Sequence, residues 1–332
     1  MGDSLVQLGA APRPRLPAWA RKSRTHFESL NRLKTGLRLL NLHTVCESAR
    51  CPNIHECFHR GAAAFMILGD RCTRGCGFCS VETAAGSLGA PDHGEPARVG
   101  EAAARLRLTH VVVTSVTRDD LPDGGAAQFA ATIGAVRKRV PGAAVEVLVP
   151  DFGGDEEALE TVLSERPDVL AHNLETVPRL YASVRPGAGY RRSLELLARV
   201  AGWAATADGG SRGASAAGGS RGTSAAGGSC VAGVAGRSPL VKTGLMLGLG
   251  ETGDEVDAVL RDCVAAGADL VAIGQYLQPD PACLAVARYV PPEEFDALRG
   301  RGERLGLHVI AAPFVRSSYR AGEALAAATG DL

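Results

Sequence analysis

From about residue 62 onward, short apolar runs and amphipathic stretches alternate, and this alternation limits the possible folds more than any other feature of the chain. Candidate strands lie at 64–68, 110–115, 144–149, 169–172, 240–247, 270–274 and 308–312. Helix-like stretches between them include 128–139, 156–165, 193–200, 255–266 and 293–305. Such alternation builds βαβ units on a parallel sheet. Runs as continuously apolar as HVVVTSV suit a sheet buried on both faces. The expected fold class is α/β: a partial (β/α) barrel of about six parallel strands over 62–315, with an N-terminal extension (1–61) and a C-terminal extension (316–332). In such barrels function sits at the C-terminal ends of the strands, and the polar motifs follow the strands at that position.

Residues 204–237 break the scheme. They are mostly Gly, Ser and Ala, with the tandem repeat GGSRGASAA–GGSRGTSAA at 209–226. No apolar positions recur there for stacking, so the reading is a flexible surface insertion. A phosphate-binding loop would need a strand–Gly–helix context and a Lys-Ser/Thr ending, both missing here. Lys+Arg and Asp+Glu are equal at 36 each, with no basic stripe, so no nucleic-acid partner is expected. No apolar run approaches a membrane span and no apolar leader is visible, so a cytoplasmic protein with no membrane partner is expected. The Pro- and Arg-rich stretch 1–25 reads as an extended arm; an organellar transit peptide is the lesser alternative, since Asp3 and the prolines fit one poorly.

Nine cysteines without a secretory leader argue against a disulfide framework, and six of them fall between Cys46 and Cys79. Cys72, Cys76 and Cys79 form C-x3-C-x2-C in CTRGCGFC, directly after the first strand. Three thiolates on one loop can hold three corners of a 4Fe–4S cube. The fourth iron is then open to chelate S-adenosylmethionine, whose reductive cleavage gives a 5′-deoxyadenosyl radical. A zinc site would want four protein ligands, usually as paired C-x2-C units. Gly75 and Gly77 suit a tightly wrapped loop, and Phe78 can pack near the adenine. Cys46, Cys51 and Cys57 form C-x4-C-x5-C in CESARCPNIHECF. Spacing alone leaves that set open between a cluster and a zinc ion completed by His43, His55 or His59. Cys230, Cys263 and Cys283 read as ordinary thiols.

Other polar residues follow the strands. Thr114, Ser115, Asp119 and Asp120 either cap the next helix or line the active-site mouth. Asn173 and Glu175, just past the fourth strand, either close the loop or bind the methionyl end and the ribose hydroxyls of S-adenosylmethionine. Arg185 suits its carboxylate, or a surface ion pair. Gly248 and Gly250 permit close backbone approach to a ligand. His172 reads as a satisfied core histidine.

The motifs CESARCPNIHECF and FMILGDRCTRGCGFC resemble those of the lipoyl synthases, within the radical S-adenosylmethionine superfamily. The likeness continues through VVTSVTRDDLPDGG, HNLETV, KTGLMLGLGET, IGQYLQP, RYVPPEEF and PFVRSSY, over about residues 25–325. Three features depart from the pattern: Phe58 stands for a frequent Trp, the segment after Pro279 lacks the usual His-Leu-Pro, and the Gly/Ser insertion is unusual. The resemblance implies insertion of two sulfur atoms, at C6 and C8 of a protein-bound octanoyl-lysine, to form the lipoyl cofactor. It implies two 4Fe–4S clusters: a radical-generating one on Cys72, Cys76 and Cys79, and an auxiliary one on Cys46, Cys51, Cys57 and Ser318 that is consumed as sulfur donor. Two hydrogen abstractions then require two S-adenosylmethionine molecules per product. Implied partners are the octanoylated carrier domains of 2-oxoacid dehydrogenase complexes, the glycine-cleavage H protein, a reduced ferredoxin or flavodoxin as electron donor, and a cluster-repair protein. Residues 1–61 then supply the auxiliary-cluster segment and 316–332 the serine ligand; the alternative for Ser318 is that it caps a helix beginning near Tyr319. A biotin-synthase-like sulfur inserter lacks the early C-x4-C-x5-C and the RSSY ending. A non-catalytic iron–sulfur or zinc protein would release no 5′-deoxyadenosine.

Overall fold

The structure, a computed structural model, describes residues 15–22, 27–60, 62–207 and 238–330. The readings made above for residues 1–14, for the insertion beyond residue 207 and for Cys230 lie outside the described residues. In chain order the elements are α1 (Phe27–Leu39), β1 (His43–Thr44), α2 (Val45–Ser48), α3 (Ile54–His59), β2 (Ala64–Ile67), β3 (Arg71–Cys72), β4 (Glu82–Thr83), α4 (Glu95–Arg105), β5 (His110–Ser115), α5 (Ala126–Arg139), β6 (Ala144–Leu148), α6 (Glu156–Ser164), β7 (Val169–Ala171), α7 (Tyr181–Val184), α8 (Tyr190–Ala207), β8 (Leu240–Leu247), α9 (Gly253–Ala265), β9 (Leu270–Gln275), α10 (Pro292–Arg304), β10 (His308–Ala311) and α11 (Ala321–Thr329).

Among the described residues one sheet has eight strands, in the order β1-β2-β5-β6-β7-β8-β9-β10. Strands β2 and β5 through β10 are mutually parallel, one more than the six expected, and β1 joins β2 antiparallel. The sheet is an open, partial barrel. All seven candidate runs are strands because their side chains are apolar on both faces: β2 and β9 are buried along their whole length. Helices α4, α5 and α6 pack in sequence outside it.

The two ends of the barrel differ. At the N-terminal end, Leu325 of α11 packs on Ala144, Val169 and Leu240, the first residues of β6, β7 and β8. Just inside, Lys242 Nζ lies 2.8 Å from Glu146 Oε1, and His110 Nε2 lies 3.2 Å from Glu146 Oε2. These charges are buried but paired, as burial requires. This end is closed by packing. The cysteines and the polar loops leave from the other end.

Two local expectations are corrected. Thr114, Ser115, Asp119 and Asp120 do not cap α5. Its first amides, those of Gly125 and Ala127, donate to Asp123 at 2.9 and 2.8 Å. The chain needs ten more residues after β5 to return to the helix layer, so the cap falls later. The C-terminal helix begins at Ala321, with Arg320 as its N-cap, rather than near Tyr319, and Ser318 does not cap it.

Candidate active site

The CTRGCGFC loop is fastened from several sides. Cys72 ends β3, which pairs with β4, so the ribbon brackets the loop. The amides of Arg74 and Thr117 point at Cys72 Sγ from 3.4 and 3.3 Å. Arg74 Nη2 sits 2.7 Å from both Asp119 Oδ1 and the fully buried Asp151 Oδ1. Arg192 Nε holds the other Asp151 oxygen at 2.8 Å. Burial alone would raise the Asp151 pKa, but the hydrogen bond and charge of Arg74 outweigh it and hold the carboxyl down at about 2. On the opposite face, Gly77 N–H donates to Val184 O, Leu284 N–H donates to Gly77 O, and the Cys283 thiol donates to Cys79 O.

The three thiols fit a cluster by their chemistry. Burial pushes Cys76 up and Cys79 up to about 12, with the neighbouring cysteines adding to it. Thiolates half-buried near one another stay charged only where a cationic core neutralises them. Amides aimed at sulfur are the contacts by which proteins tune iron–sulfur clusters.

The second cysteine set is assembled from separate pieces. β1 leads directly into α2, capped by Thr44, whose hydroxyl accepts from Glu47 N–H at 3.3 Å. Cys46 lies in α2, Cys51 in the following turn and Cys57 in α3. Burial, then Cys51, pushes Cys46 up to about 12 and Cys57 to about 11. Among the described residues no three His, Cys, Asp or Glu side chains crowd closely enough to share a single ion. The C-terminal turn docks here. Asn53 Nδ2 donates to Phe314 O at 2.7 Å, Tyr319 OH donates to Glu56 Oε1 at 2.9 Å, and Lys22 Nζ lies over both the Phe314 and Tyr319 rings. Ser318 therefore stands beside the Cys46–Cys57 segment, half-buried.

The two sets adjoin. Ser80, the residue after Cys79, donates to Ser48 O at 2.8 Å, and Arg50 pairs with Asp280 of the loop that covers Gly77 at 2.6 Å. The Arg316 guanidinium feels both Cys51 and Glu175. Glu175 in turn acts on Cys76 and Cys79.

The other candidates gather at the same mouth, with one exception. Asn173 Nδ2 donates to Glu175 Oε1 at 3.0 Å. Arg185 Nη1 donates to the Asn173 carbonyl at 2.6 Å, while its buried Nε has no partner among the described residues. Among those residues Arg185 makes no ion pair within bridging distance, so the surface-pair reading is dropped; its charge bears on Cys76 and Glu175. Burial raises the Glu175 pKa, against the pull of Arg185. Ser115 Oγ is buried and without a partner among the described residues, whereas Thr114 Oγ1 is committed to Leu148 O at 2.9 Å. His172 sits in the core. Its Nδ1 donates to Val149 O and its Nε2 accepts from Ser193 Oγ, both at 2.9 Å, and burial lowers its pKa to about 4. Sequence reasoning missed Arg74, Asp151 and Arg316. A charged residue inside CTRGC and an Asp just past a barrel strand were the available signals.

Together these features define a radical S-adenosylmethionine enzyme. Residues 66–202 match the model of the radical SAM superfamily, and residues 3–51 match that of the N-terminal domain of lipoyl synthase of the radical SAM family. The chain is 48% identical over 95% of its length to a lipoyl synthase of Oleidesulfovibrio alaskensis, covering 97% of that protein. It is equally 48% identical to one of Caldanaerobacter subterraneus, covering 95% of this chain and 99% of that protein. Among solved structures, methylornithine synthase aligns over 88% of this chain and 79% of its own at 14% identity, with a TM-score of 0.42. The chain belongs to the lipoyl synthase family. It is a sulfurtransferase that inserts sulfur by radical chemistry dependent on S-adenosylmethionine and a 4Fe–4S cluster.

Proposed function

We propose that the chain makes the lipoyl group in place, adding sulfur at C6 and C8 of an octanoyl-lysine on a carrier protein, with a second 4Fe–4S cluster as the sulfur source. The observation that carries this reading is the abutment of two three-cysteine segments through the Ser80–Ser48 hydrogen bond. When bound, S-adenosylmethionine and its cluster supply the radical that breaks an unactivated C–H bond, and the auxiliary cluster supplies sulfide.

The chain's own residues bind, orient and shield. Cys72, Cys76 and Cys79 would hold the radical cluster and leave one iron open. Cys46, Cys51, Cys57 and Ser318 would hold the auxiliary one. Asn173, Glu175 and Arg185, with Ser115 and Thr114 at the β5 end, would hold S-adenosylmethionine. Thr114 would do so through the face not committed to Leu148. Residues 1–61, 62–315 and 316–332 would divide the work into auxiliary segment, barrel and serine-bearing closure.

Two S-adenosylmethionine molecules are used per product. The carriers are octanoylated domains of 2-oxoacid dehydrogenase complexes and the glycine-cleavage H protein. A reduced ferredoxin or flavodoxin delivers electrons, and a repair protein rebuilds the auxiliary cluster. The working compartment is the cytoplasm, and no helix among the described residues is long and apolar enough to cross a membrane.

The test is an anaerobic reaction of the reconstituted enzyme with an octanoyl-lysine peptide, S-adenosylmethionine and dithionite. Mass analysis should find two added sulfurs and two 5′-deoxyadenosines per lipoyl group. Release of 5′-deoxyadenosine with no sulfur added would overturn the proposal.

A further inference from the structure

The two serines of RSSY occupy different surroundings. Ser318 lies in the turn that docks on the Cys46–Cys57 segment through Phe314 and Tyr319, whereas the Ser317 hydroxyl turns to the barrel. It donates to Asn173 Oδ1 at 2.8 Å across a sequence separation of 144 residues. The Asn173 amide is thereby oriented. A hydroxyl donor on Oδ1 leaves Nδ2 to donate to the Glu175 carboxylate, 3.0 Å away. Glu175 is itself fixed by two backbone bonds to β8, Glu175 N–H to Gly244 O and Met246 N–H to Glu175 O, both 2.9 Å, at a positive φ of 67°. The C-terminal turn reaches this pair by hydrogen bond through the Asn173 side chain and by charge through Arg316, which acts on Glu175.

Neighbouring strands leave room for this contact. A Cβ on Gly244 would lie 2.7 Å from Asn173 Oδ1 and 2.8 Å from Ser317 Oγ. A Cβ on Gly274 would lie 2.0 Å from Val315 O. Neither glycine has a positive φ, so close packing, not backbone conformation, excludes a larger residue. The turn from Val315 to Ser317 thus rests in a cradle between β8 and β9.

We propose that Ser317 is a positioning residue: it orients Asn173 and Glu175 for S-adenosylmethionine, and so links the methionine-derived cofactor's site to the turn that carries Ser318. The proposal rests on the reading above that Asn173 and Glu175 contact S-adenosylmethionine. Because Ser317 and Ser318 are adjacent, displacement of the turn at one site moves a hydrogen bond at the other. Binding of S-adenosylmethionine then reports on whether the auxiliary segment is closed.

The experiment measures S-adenosylmethionine affinity by anaerobic equilibrium dialysis on the reconstituted, unreduced enzyme, with iron content as a parallel readout. Ser317→Ala leaves the Asn173 oxygen without its donor and should weaken binding about five- to tenfold. Iron content should stay native, and Ser317→Thr should recover most of the affinity. In Ser317→Ala/Asn173→Ala the losses should not add, because the two residues act through one bond. Native affinity in Ser317→Ala, with Asn173→Ala weakened, overturns the proposal alone. Native affinity in Asn173→Ala overturns the reading of the cofactor contacts and the proposal with it. Loss of iron from Ser317→Ala at unchanged affinity assigns Ser317 to the cluster turn and also overturns the proposal.

Discussion

The two cysteine segments are built on opposite plans. The CTRGCGFC loop is a local structure: its three thiols lie within one turn-rich segment, bracketed by β3 and β4 and fastened to the barrel wall by Arg74 and Asp151. The Cys46–Cys57 segment is assembled from both ends of the chain, with Asn53 reaching Phe314 over 261 residues and Tyr319 reaching Glu56 over 263. A generator of radicals must keep its cluster through every cycle. A sulfur donor must give its cluster up and take another. On the proposed function, a site closed by a turn from the far end of the chain suits the second task, and a site anchored on the barrel suits the first.

The largest effects should come from the cysteines themselves. Cys76→Ala should reduce 5′-deoxyadenosine release to background, a fall of at least about 10³-fold, because the radical step belongs to the cofactor and has no protein substitute. The joint change of Cys46, Cys51 and Cys57 to Ala should abolish sulfurated product yet leave S-adenosylmethionine cleavage in place. If that triple variant also stops releasing 5′-deoxyadenosine, the two segments are one unit and the contrast fails.

Next comes Ser318→Cys. An alkoxide is a harder ligand than a thiolate and leaves iron on protonation. A fourth thiolate should therefore give a cluster that assembles well but stalls, with little doubly sulfurated product. The structure removes the competing role, since the helix that Ser318 was to cap starts at Ala321. The same exchange at Ser317, which faces Asn173, is the control. Both insertions proceeding at the native rate in Ser318→Cys would end the serine-release idea.

The anchoring of the radical loop is testable through stability. Arg74→Met removes one partner of the buried Asp151, with Arg192 remaining. The expected cost is about 2–3 kcal/mol in denaturant unfolding, below that of a fully stranded buried charge. A pH signature accompanies it. Asp151 is held at about 2 in the folded chain, against roughly 3.9 unfolded. Its contribution is therefore present above about pH 4 and is lost as pH falls from there toward 2. Arg74→Met should flatten that acid limb. A limb of unchanged slope would place the anchor elsewhere.

This contrast also governs what could be read from sequence. The seven parallel strands were visible because each is a continuous apolar run. Helix α4 was not singled out: its buried side is Glu95, Pro96, Val99, Gly100, Ala102 and Ala103, with one branched apolar side chain among them. The radical loop was legible as spacing because its ligands are neighbours in sequence. The auxiliary segment left zinc open on spacing alone and needed the resemblance. The contacts that organise both sites were hidden for one reason: Ser317–Asn173, Tyr319–Glu56 and Asn53–Phe314 join residues 144, 263 and 261 apart. No local pattern encodes such pairs.

The smallest effect is expected between these regions, at the Gly/Ser insertion. Helix α8 ends at Ala207 and β8 begins at Leu240. Ser238 Oγ already donates to Ala204 O at 2.7 Å, so the returning chain lies within a hydrogen bond of the last turn of α8. Deleting residues 208–236 and rejoining the ends should therefore close without strain. Shortening a loop by a few doublings, at roughly 0.6 kcal/mol each, changes stability by no more than about 2 kcal/mol, in the stabilising direction. The melting temperature should hold or rise by a few degrees, and 5′-deoxyadenosine and sulfurated product should both stay at native levels. Affinity for an octanoylated carrier domain is the sensitive measurement, because a full-length carrier can touch surface that a peptide does not reach. If the deletion leaves peptide turnover native but weakens the carrier domain more than about tenfold, the insertion is a recognition element, and the chain has a third working region beside its two cysteine segments.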